Sequence, residues 1–486
     1  MLKKIGFESY KCYGEKAEFD IKPLTILCGV NSSGKSSAIK SLLLLMQSYE
    51  NVSSSNEITF NGKLCNCGNF DDVVYNGERK TFDIVNKFEI VNSMDENGNA
   101  YDHSDIVSYK ELNKMYKYND QVKIVKFDLT VKLTVAKYES SSNIYIDGNR
   151  INEYEIEIVA SNEESEKIYS KLFLKRVGES GNRYNMTIEN FPTLDGELIS
   201  KVSSNCICYF SGVRLNNLYK RRLDYKVGNA LANILTVFRV IANQYAGMKF
   251  IAPLRETPKR YYVSDRNVND VGVAGEDTAL LLAKEKKKAR KEIVQPPSQD
   301  ETYEFECKKE SLLDSIQKWL SYFDLGSVEI TGKEIVRLNI SGHNIVDVGF
   351  GVSQILPIIT QGLYMQKEET FILEQPEIHL HPKMQMKMAD FILSLALSEK
   401  NVITETHSDH IINRLCRRIM ENEKLQKIVN IYFIDKDKNG NVTYELVNID
   451  KVDGITIENE NFFYQFASET EKIVDVGYKN MLKLEE

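Results

Sequence analysis

The residues with the plainest chemical purpose lie near the N-terminus. Gly29-Val30-Asn31-Ser32-Ser33-Gly34-Lys35-Ser36 has the spacing G-x-x-x-x-G-K-S/T, preceded by the apolar run LTILCGV and followed by AIKSLLLLMQ. Glycines let a backbone wrap closely round an anion, and successive N–H groups in such a loop form a nest for phosphate oxygens. A helix opening directly after it adds the positive end of its dipole. The pattern predicts a polyphosphate cradle from Gly29, Asn31, Ser32, Ser33 and Gly34, with Lys35 as a point charge on the outer phosphates. Ser36, with Ser37 beside it, brings hydroxyls to the same place, and a Ser36 oxygen suits Mg²⁺.

Such loops serve kinases, GTPases and many ATPases, so the second half of the chain must choose among them. Thr370-Phe371-Ile372-Leu373-Glu374 is an apolar strand ending in a carboxylate, followed by Gln375-Pro376-Glu377. A buried strand that delivers an acid at its C-terminal end suits a group acting on Mg²⁺. Upstream, Asp347-Val348-Gly349-Phe350-Gly351-Val352-Ser353-Gln354 is a glycine-rich turn, with Ser353 expected to cap the helix ILPIITQGLYM. Downstream, the strand NVITET delivers His407 and Ser408.

The elements that must hold these groups follow from periodicity. Residues 1–30 read as β-rich, and Ser36 to about Gln47 as a buried helix. From about 57 to 215, short alternating segments such as FDIVNKFEIV and KIVKFDLTVKLTVAKY are punctuated by turn signals, which predicts a mainly antiparallel β insert. Helices are expected over 228–247, 274–293 and about 303–322, and the tail from 427 offers two or three strands and a final helix.

The order of phosphate loop, Gly/Ser turn before a helix, strand-end acid and a histidine after the next strand resembles ABC-type ATPases. FGVSQILPI, ILEQPEIHLHP and ITETHSDHIINRL look like the SMC/RecF/OLD-like branch of soluble ATPases. IAPLRETPKRYY, VGVAGEDTALLL and NFFYQFASETEK resemble a bacterial family of AAA/ABC ATPases found beside defence genes, without a Toprim module. The likeness covers both ends of the chain and leaves 80–215 unplaced.

It implies an α/β fold: an ABC-ATPase head with a phosphate loop and mixed-sheet core, carrying the antiparallel insert and a short helical one. The divisions would be 1–56 (first lobe of the head), 57–215 (β-rich insert), 216–330 (helical linking region), 331–426 (second lobe) and 427–486 (β/α tail). It also implies ATP and Mg²⁺ as ligands, with Lys35 on the β- and γ-phosphates and Ser36 and Glu374 on the metal. His407 would be the γ-phosphate switch, and Gly351 and Ser353 would reach the γ-phosphate held by a second protomer. The acid that normally follows Glu374 and polarises the attacking water is Gln375 here. An amide orients water but cannot take its proton. Either Glu377 is the base, or hydrolysis is slow and ATP mostly holds a closed state.

Composition narrows the rest. The 486 residues are 42% hydrophobic and 27% charged with a formal charge of −8, a globular composition in which any nucleic-acid contact must be local. No run is long enough to span a bilayer and no secretory signal is evident, so a cytoplasmic location is expected. The eight cysteines include the C-x-C pairs Cys65/Cys67 and Cys206/Cys208, which read as reduced thiols rather than a zinc site.

His379 and His381 invite a metal, but the resemblance makes HLHP a dimer-contact loop. Asp435 and Asp437 mimic a nuclease pair, yet Asn439-Gly440 marks a hairpin turn. Lys284–Lys291 is either a solvated helix face, given Glu285 and Glu292, or a phosphate-binding strip. Arg255, Lys259, Arg260, Tyr261 and Tyr262 either line a nucleotide-sensing or nucleic-acid surface or brace the two lobes. Tyr10, Lys11 and Tyr13 either stack on adenine or are ordinary strand residues.

Two functions are carried forward. One is an ATP-driven, dimerising switch or sensor in bacterial anti-phage defence, a homodimer or higher homo-oligomer working with a separate effector such as a nuclease. The other is a RecF/SMC-like ATPase of DNA repair or maintenance that binds DNA when ATP closes the dimer.

Overall fold

The computed structural model describes residues 1–50, 56–91, 104–116, 124–138, 148–178, 181–203, 205–220, 224–285, 289–297, 306–451, 454–459 and 461–462. The chain divides into two units, one made of Met1–Ile21, Ser36–Phe250 and Gln366–Phe371, the other of Lys22–Lys35, Ile251–Met365 and Ile372–Glu486.

Strict two-residue alternation builds the first unit. In Thr81–Val91, Phe82, Ile84, Phe88 and Ile90 are buried and alternate with Asp83, Lys87 and Glu89. Ile124–Tyr138 and Gly148–Asn162 continue the pattern over 15 residues each. The result is a nine-stranded sheet in the order Arg214–Tyr219, Asn205–Ser211, Arg183–Glu189, Lys167–Arg176, Gly148–Asn162, Ile124–Tyr138, Thr81–Val91, Leu2–Glu8, Ala17–Asp20. Every neighbouring pair is antiparallel. The mainly antiparallel region expected from the turn signals is thus present, and it takes in the N-terminal hairpin as well.

Cross-strand ion pairs such as Asp83–Lys132 (2.6 Å) and Glu89–Lys126 (2.7 Å) lie on the polar face. Each is worth little, but together they keep that face hydrated. Helix Tyr225–Ala246, capped by Asp224, brings Leu231, Ile234, Phe238, Ile241 and Tyr245 to the apolar face at helical spacing. Phe238 meets Tyr154 edge-on at 5.0 Å, Tyr245 meets Phe88 at 5.3 Å, and Asn86 Nδ2 donates to the Tyr245 hydroxyl at 2.7 Å. Tyr10 and Tyr13 are buried around Phe7, with ring centroids 5.5 and 4.6 Å from it, so they are core residues rather than a platform for a base.

The second unit holds most of a six-stranded sheet in the order Lys249–Ile251, Thr370–Glu374, Asn401–Glu405, Leu24–Gly29, Val429–Lys436, Val442–Leu446. Leu24–Gly29 pairs in parallel with both its neighbours. It, Thr370–Glu374 and Asn401–Glu405 are buried along their whole length. Strands covered on both faces read as unbroken apolar runs, which is why these stood out in the sequence.

Helices Phe350–Tyr364, Pro382–Leu397 and Asp409–Glu421 belong to this unit. The last two are tied together by Asp390, which is fully buried and accepts hydrogen bonds from Arg414 Nη2 (2.7 Å), Arg418 Nε (2.9 Å) and the Tyr322 hydroxyl (2.7 Å).

Two expected helices are shorter than periodicity predicted. The helix anticipated over 274–293 is Thr278–Glu285, and Ala289–Val294 is a strand paired with Cys307–Ser311. Pro296 and Pro297 disfavour helical backbone just before them, and Val294 is buried. The helix expected from about 303 begins at Leu312, where the Ser311 hydroxyl caps it by accepting from Asp314 N–H. Lys286–Lys288, the centre of the basic run, and the final helix expected in the tail lie outside the described residues. No helix among the described residues is long and apolar enough to cross a membrane.

No two of the eight cysteines are bridged: six are buried, Cys12 is half-buried and Cys307 is exposed. In each C-x-C pair the sulfurs lie close, 3.9 Å for Cys65/Cys67 and 3.5 Å for Cys206/Cys208.

Candidate functional site

The phosphate loop leaves the C-terminal end of Leu24–Gly29 and runs into helix Lys35–Glu50. Gly29 has φ 133°, and a Cβ there would stand 2.0 Å from the Ile434 carbonyl oxygen, so only glycine fits. Gly34 (φ 116°) and Ser32 (φ 60°) also turn the loop in the left-handed region.

Lys35 is folded back into the loop, its Nζ donating to the Gly29 (3.0 Å) and Val30 (2.6 Å) carbonyls. Burial lowers its pKa, against the favourable charges of Glu405, Cys28 and Glu377. The Ser33 hydroxyl is buried with no hydrogen-bond partner among the described residues. A buried hydroxyl without a partner inside a loop of this shape fits an incoming phosphate oxygen.

The strand-end acid Glu374 is buried, as predicted for a residue delivered by an apolar strand. Gln375 next to it has φ 47°, at a cost of about 1 kcal/mol or more for a residue with a Cβ. Both its backbone groups are held. Its N–H donates to Glu405 O (2.8 Å), and its carbonyl accepts from Arg255 Nη1 (3.2 Å).

Glu377 Oε1 accepts the His407 backbone N–H at 2.7 Å. Burial raises the Glu377 pKa, with the hydrogen bond from His407 opposing it. Glu405, at the end of the strand between the phosphate-loop strand and the Glu374 strand, places Oε1 3.7 Å from His407 Nε2. The phosphate loop, Glu374–Glu377, Glu405 and His407 therefore gather at the C-terminal ends of neighbouring strands, where open α/β sheets bind ligands.

Arg255 is nine-tenths buried, and its Nη1 also donates to Pro253 O (3.0 Å) while Nη2 donates to Glu374 O (3.2 Å). Burial pulls its pKa down to about 10, against the favourable charge of Glu377. Glu405 was not singled out by sequence, and Arg255 was named only within a basic and aromatic group with either a nucleotide-sensing or nucleic-acid role or a bracing one. Glu405 obeys the same rule that picked out Glu374, an acid at the end of a buried strand. Arg255 gave no such signal. Arg260 forms a paired contact with Asp347 (3.0 and 2.8 Å), and Lys259 pairs with Glu256 (2.8 Å), so this basic segment braces loops within its own unit.

The glycine turn differs from expectation. Gly349, not Ser353, is the N-cap of helix Phe350–Tyr364. Ser353 lies one turn inside, buried, its hydroxyl donating back to the Phe350 carbonyl at 2.7 Å. Periodicity misplaced the cap because Phe350 and Gly351 are weak helix formers that the structure nevertheless winds into the first turn. The exposed part of the turn is Gly349 and Phe350, with Gly351 half-buried.

The Phe350 ring meets His379 edge-on at 5.2 Å, which joins the glycine turn to the loop after Glu377. His381 caps helix Pro382–Leu397 through Nδ1, accepting from Lys383 N–H at 3.3 Å. Asp437 closes the hairpin by accepting from Asn439 and Asn441 N–H (2.8 Å each), and Asp435 is held by the Asn459 (3.1 Å) and Asn461 (2.7 Å) amides.

A model of the AAA ATPase domain family matches residues 1–412, and the chain belongs to this family of ATPases. Among solved structures it is similar to the SMC head domain from Thermotoga maritima, at 9% identity and a TM-score of 0.37, covering 92% of this chain and 99% of that one. It is also similar to the Smc head domain with an extended coiled coil bound to the C-terminal domain of ScpA, derived from Pyrococcus furiosus, at 10% identity and a TM-score of 0.36, covering 92% and 96%. No curated protein matches it in sequence.

Proposed function

We propose that this ATPase is a nucleotide-driven switch that binds Mg·ATP in the phosphate loop and closes as a head-to-tail pair. Lys35 leaves its two carbonyl partners for the β- and γ-phosphates. Asn31, Ser32, Ser33, Ser37 and the backbone from Gly29 to Gly34 complete the cradle. Ser36 and Glu374 are hard oxygen donors of the kind Mg²⁺ takes, and the bound ion would neutralise phosphate charge. His407, joined to Glu377 through its backbone, senses the γ-phosphate.

The observation that carries the closing step is the bare helix start at Gly349–Gly351, beside the His379 loop. Exposed N–H groups at a helix N-terminus attract phosphate, so the group that a second copy offers is this backbone rather than the engaged Ser353 hydroxyl. Gln375 in place of an acid makes hydrolysis slow, so the closed state persists.

The switch acts on a separate effector, a nuclease, in an anti-phage defence system. What supports this division of labour is that Asp435 and Asp437, the pair that resembled a nuclease motif, are tied into a hairpin.

The test uses Gly349, where a Cβ would meet nothing within 4 Å and the backbone is not left-handed. Gly349→Glu should fold as the parent and bind nucleotide as monomer, yet its carboxylate would repel an incoming γ-phosphate. Light scattering with Mg·ATP should show the parent doubling in mass and Gly349→Glu staying monomeric. An equal doubling in both would end the proposal that this turn closes the site.

A further inference from the structure

We infer that Arg255 is a positioning residue for ATP hydrolysis, holding the Glu374–Gln375 turn in the one geometry that presents the Gln375 amide to the attacking water. This rests on the ATPase site described above and assigns it a working part that no motif marks.

The guanidinium sits behind the turn rather than in the phosphate loop. It donates to three carbonyls, Pro253, Glu374 and Gln375, at 3.0, 3.2 and 3.2 Å. Two of these belong to the residue proposed to act on Mg²⁺ and to the residue that stands where a base is expected. Gln375 adopts a left-handed backbone, and its own N–H is fixed to Glu405 O at 2.8 Å. Arg255 therefore holds the carbonyl side of a residue that would otherwise relax towards an ordinary conformation, swinging its side chain away.

A cation nine-tenths buried is costly unless it is hydrogen-bonded or paired; here three carbonyls accept from it, and Glu377, which anchors the His407 backbone, adds a favourable charge. One side chain thus braces the backbone of both the strand-end acid and the residue after it. Its Nε has no partner among the described residues, so the contact is made through the two terminal nitrogens. A lysine carries its three donors on one flexible nitrogen and does not match the fixed spread of the two terminal nitrogens.

The test is a kinetic split with a double-mutant cycle. Arg255→Met should leave the Mg·ATP dissociation constant within threefold of the parent and lower single-turnover hydrolysis at least 30-fold, since displacing a reacting group by about 1 Å can cost about 100-fold. Arg255→Lys should recover part of that loss. In a Gln375→Ala background, Arg255→Met should cost less than threefold more, because the two act as one unit.

Additive losses in the double variant would overturn the inference. So would nucleotide affinity falling in step with turnover, with no recovery in Arg255→Lys. If instead the parent shows no hydrolysis that depends on Lys35, it is the reading of the site as an ATPase centre that fails.

Discussion

Lys35→Ala is expected to abolish Mg·ATP binding in any practical range, weakening it at least 100-fold by calorimetry, and to eliminate hydrolysis and nucleotide-driven pairing with it. Lys35 is the one cation built into the phosphate loop, and it lies against loop carbonyls that a phosphate would displace it from. The same variant should cost little fold stability. Burial has lowered the Lys35 pKa, so keeping its charge at neutral pH works against folding without nucleotide, a penalty relieved as pH rises through the folded value. The nucleotide-free protein should then melt at or slightly above the parent temperature, while the ATP-induced rise disappears. Undiminished stabilisation of Lys35→Ala by Mg·ATP would place the nucleotide elsewhere.

Asp390→Ala should be the most damaging substitution away from the site. It leaves Arg414 and Arg418 inside the fold with no carboxylate between them, and breaking a buried pair this way costs about 3–5 kcal/mol. Burial alone would raise the Asp390 pKa, but hydrogen bonds from Arg414 and Arg418 prevail and hold it below the usual carboxylate value. Since the folded value is the depressed one, this contribution is complete above the ordinary carboxyl range and is lost as pH falls through the lowered value. Chemical unfolding at neutral pH should show the full difference between parent and variant, and the difference should shrink in strong acid. A gap that stays constant down to that range would mean the network is not ionic.

The nucleotide loop, the Glu374 strand and His407 were readable because each is a local pattern. A fully buried strand is an unbroken apolar run, and the group it delivers stands at its end. The antiparallel strands were equally readable from their alternation. What periodicity could not give was pairing at long range: nothing in LKKIGFE indicates that it lies beside Thr81–Val91.

The helix start at Gly349 was missed because Ser353, further along the chain, looked like the better cap. The strand at Ala289–Val294 was missed because charged residues after ALLLAKE continue a helical composition that the backbone does not follow. Arg255 stood out only as one of a basic and aromatic group, and its role there was not readable because its contacts are to main-chain carbonyls, which leave no mark in side-chain spacing. Glu405 could have been found by applying the strand-end rule a second time.

The uneven burial of the thiols has a practical consequence. With Cys307 exposed and six of the others enclosed, a maleimide spin label added briefly to the native protein should modify chiefly that one position. Each subunit would then carry a reporter without any engineered cysteine. The separation of two such labels, read by pulsed resonance with and without Mg·ATP, would follow the approach of two copies directly.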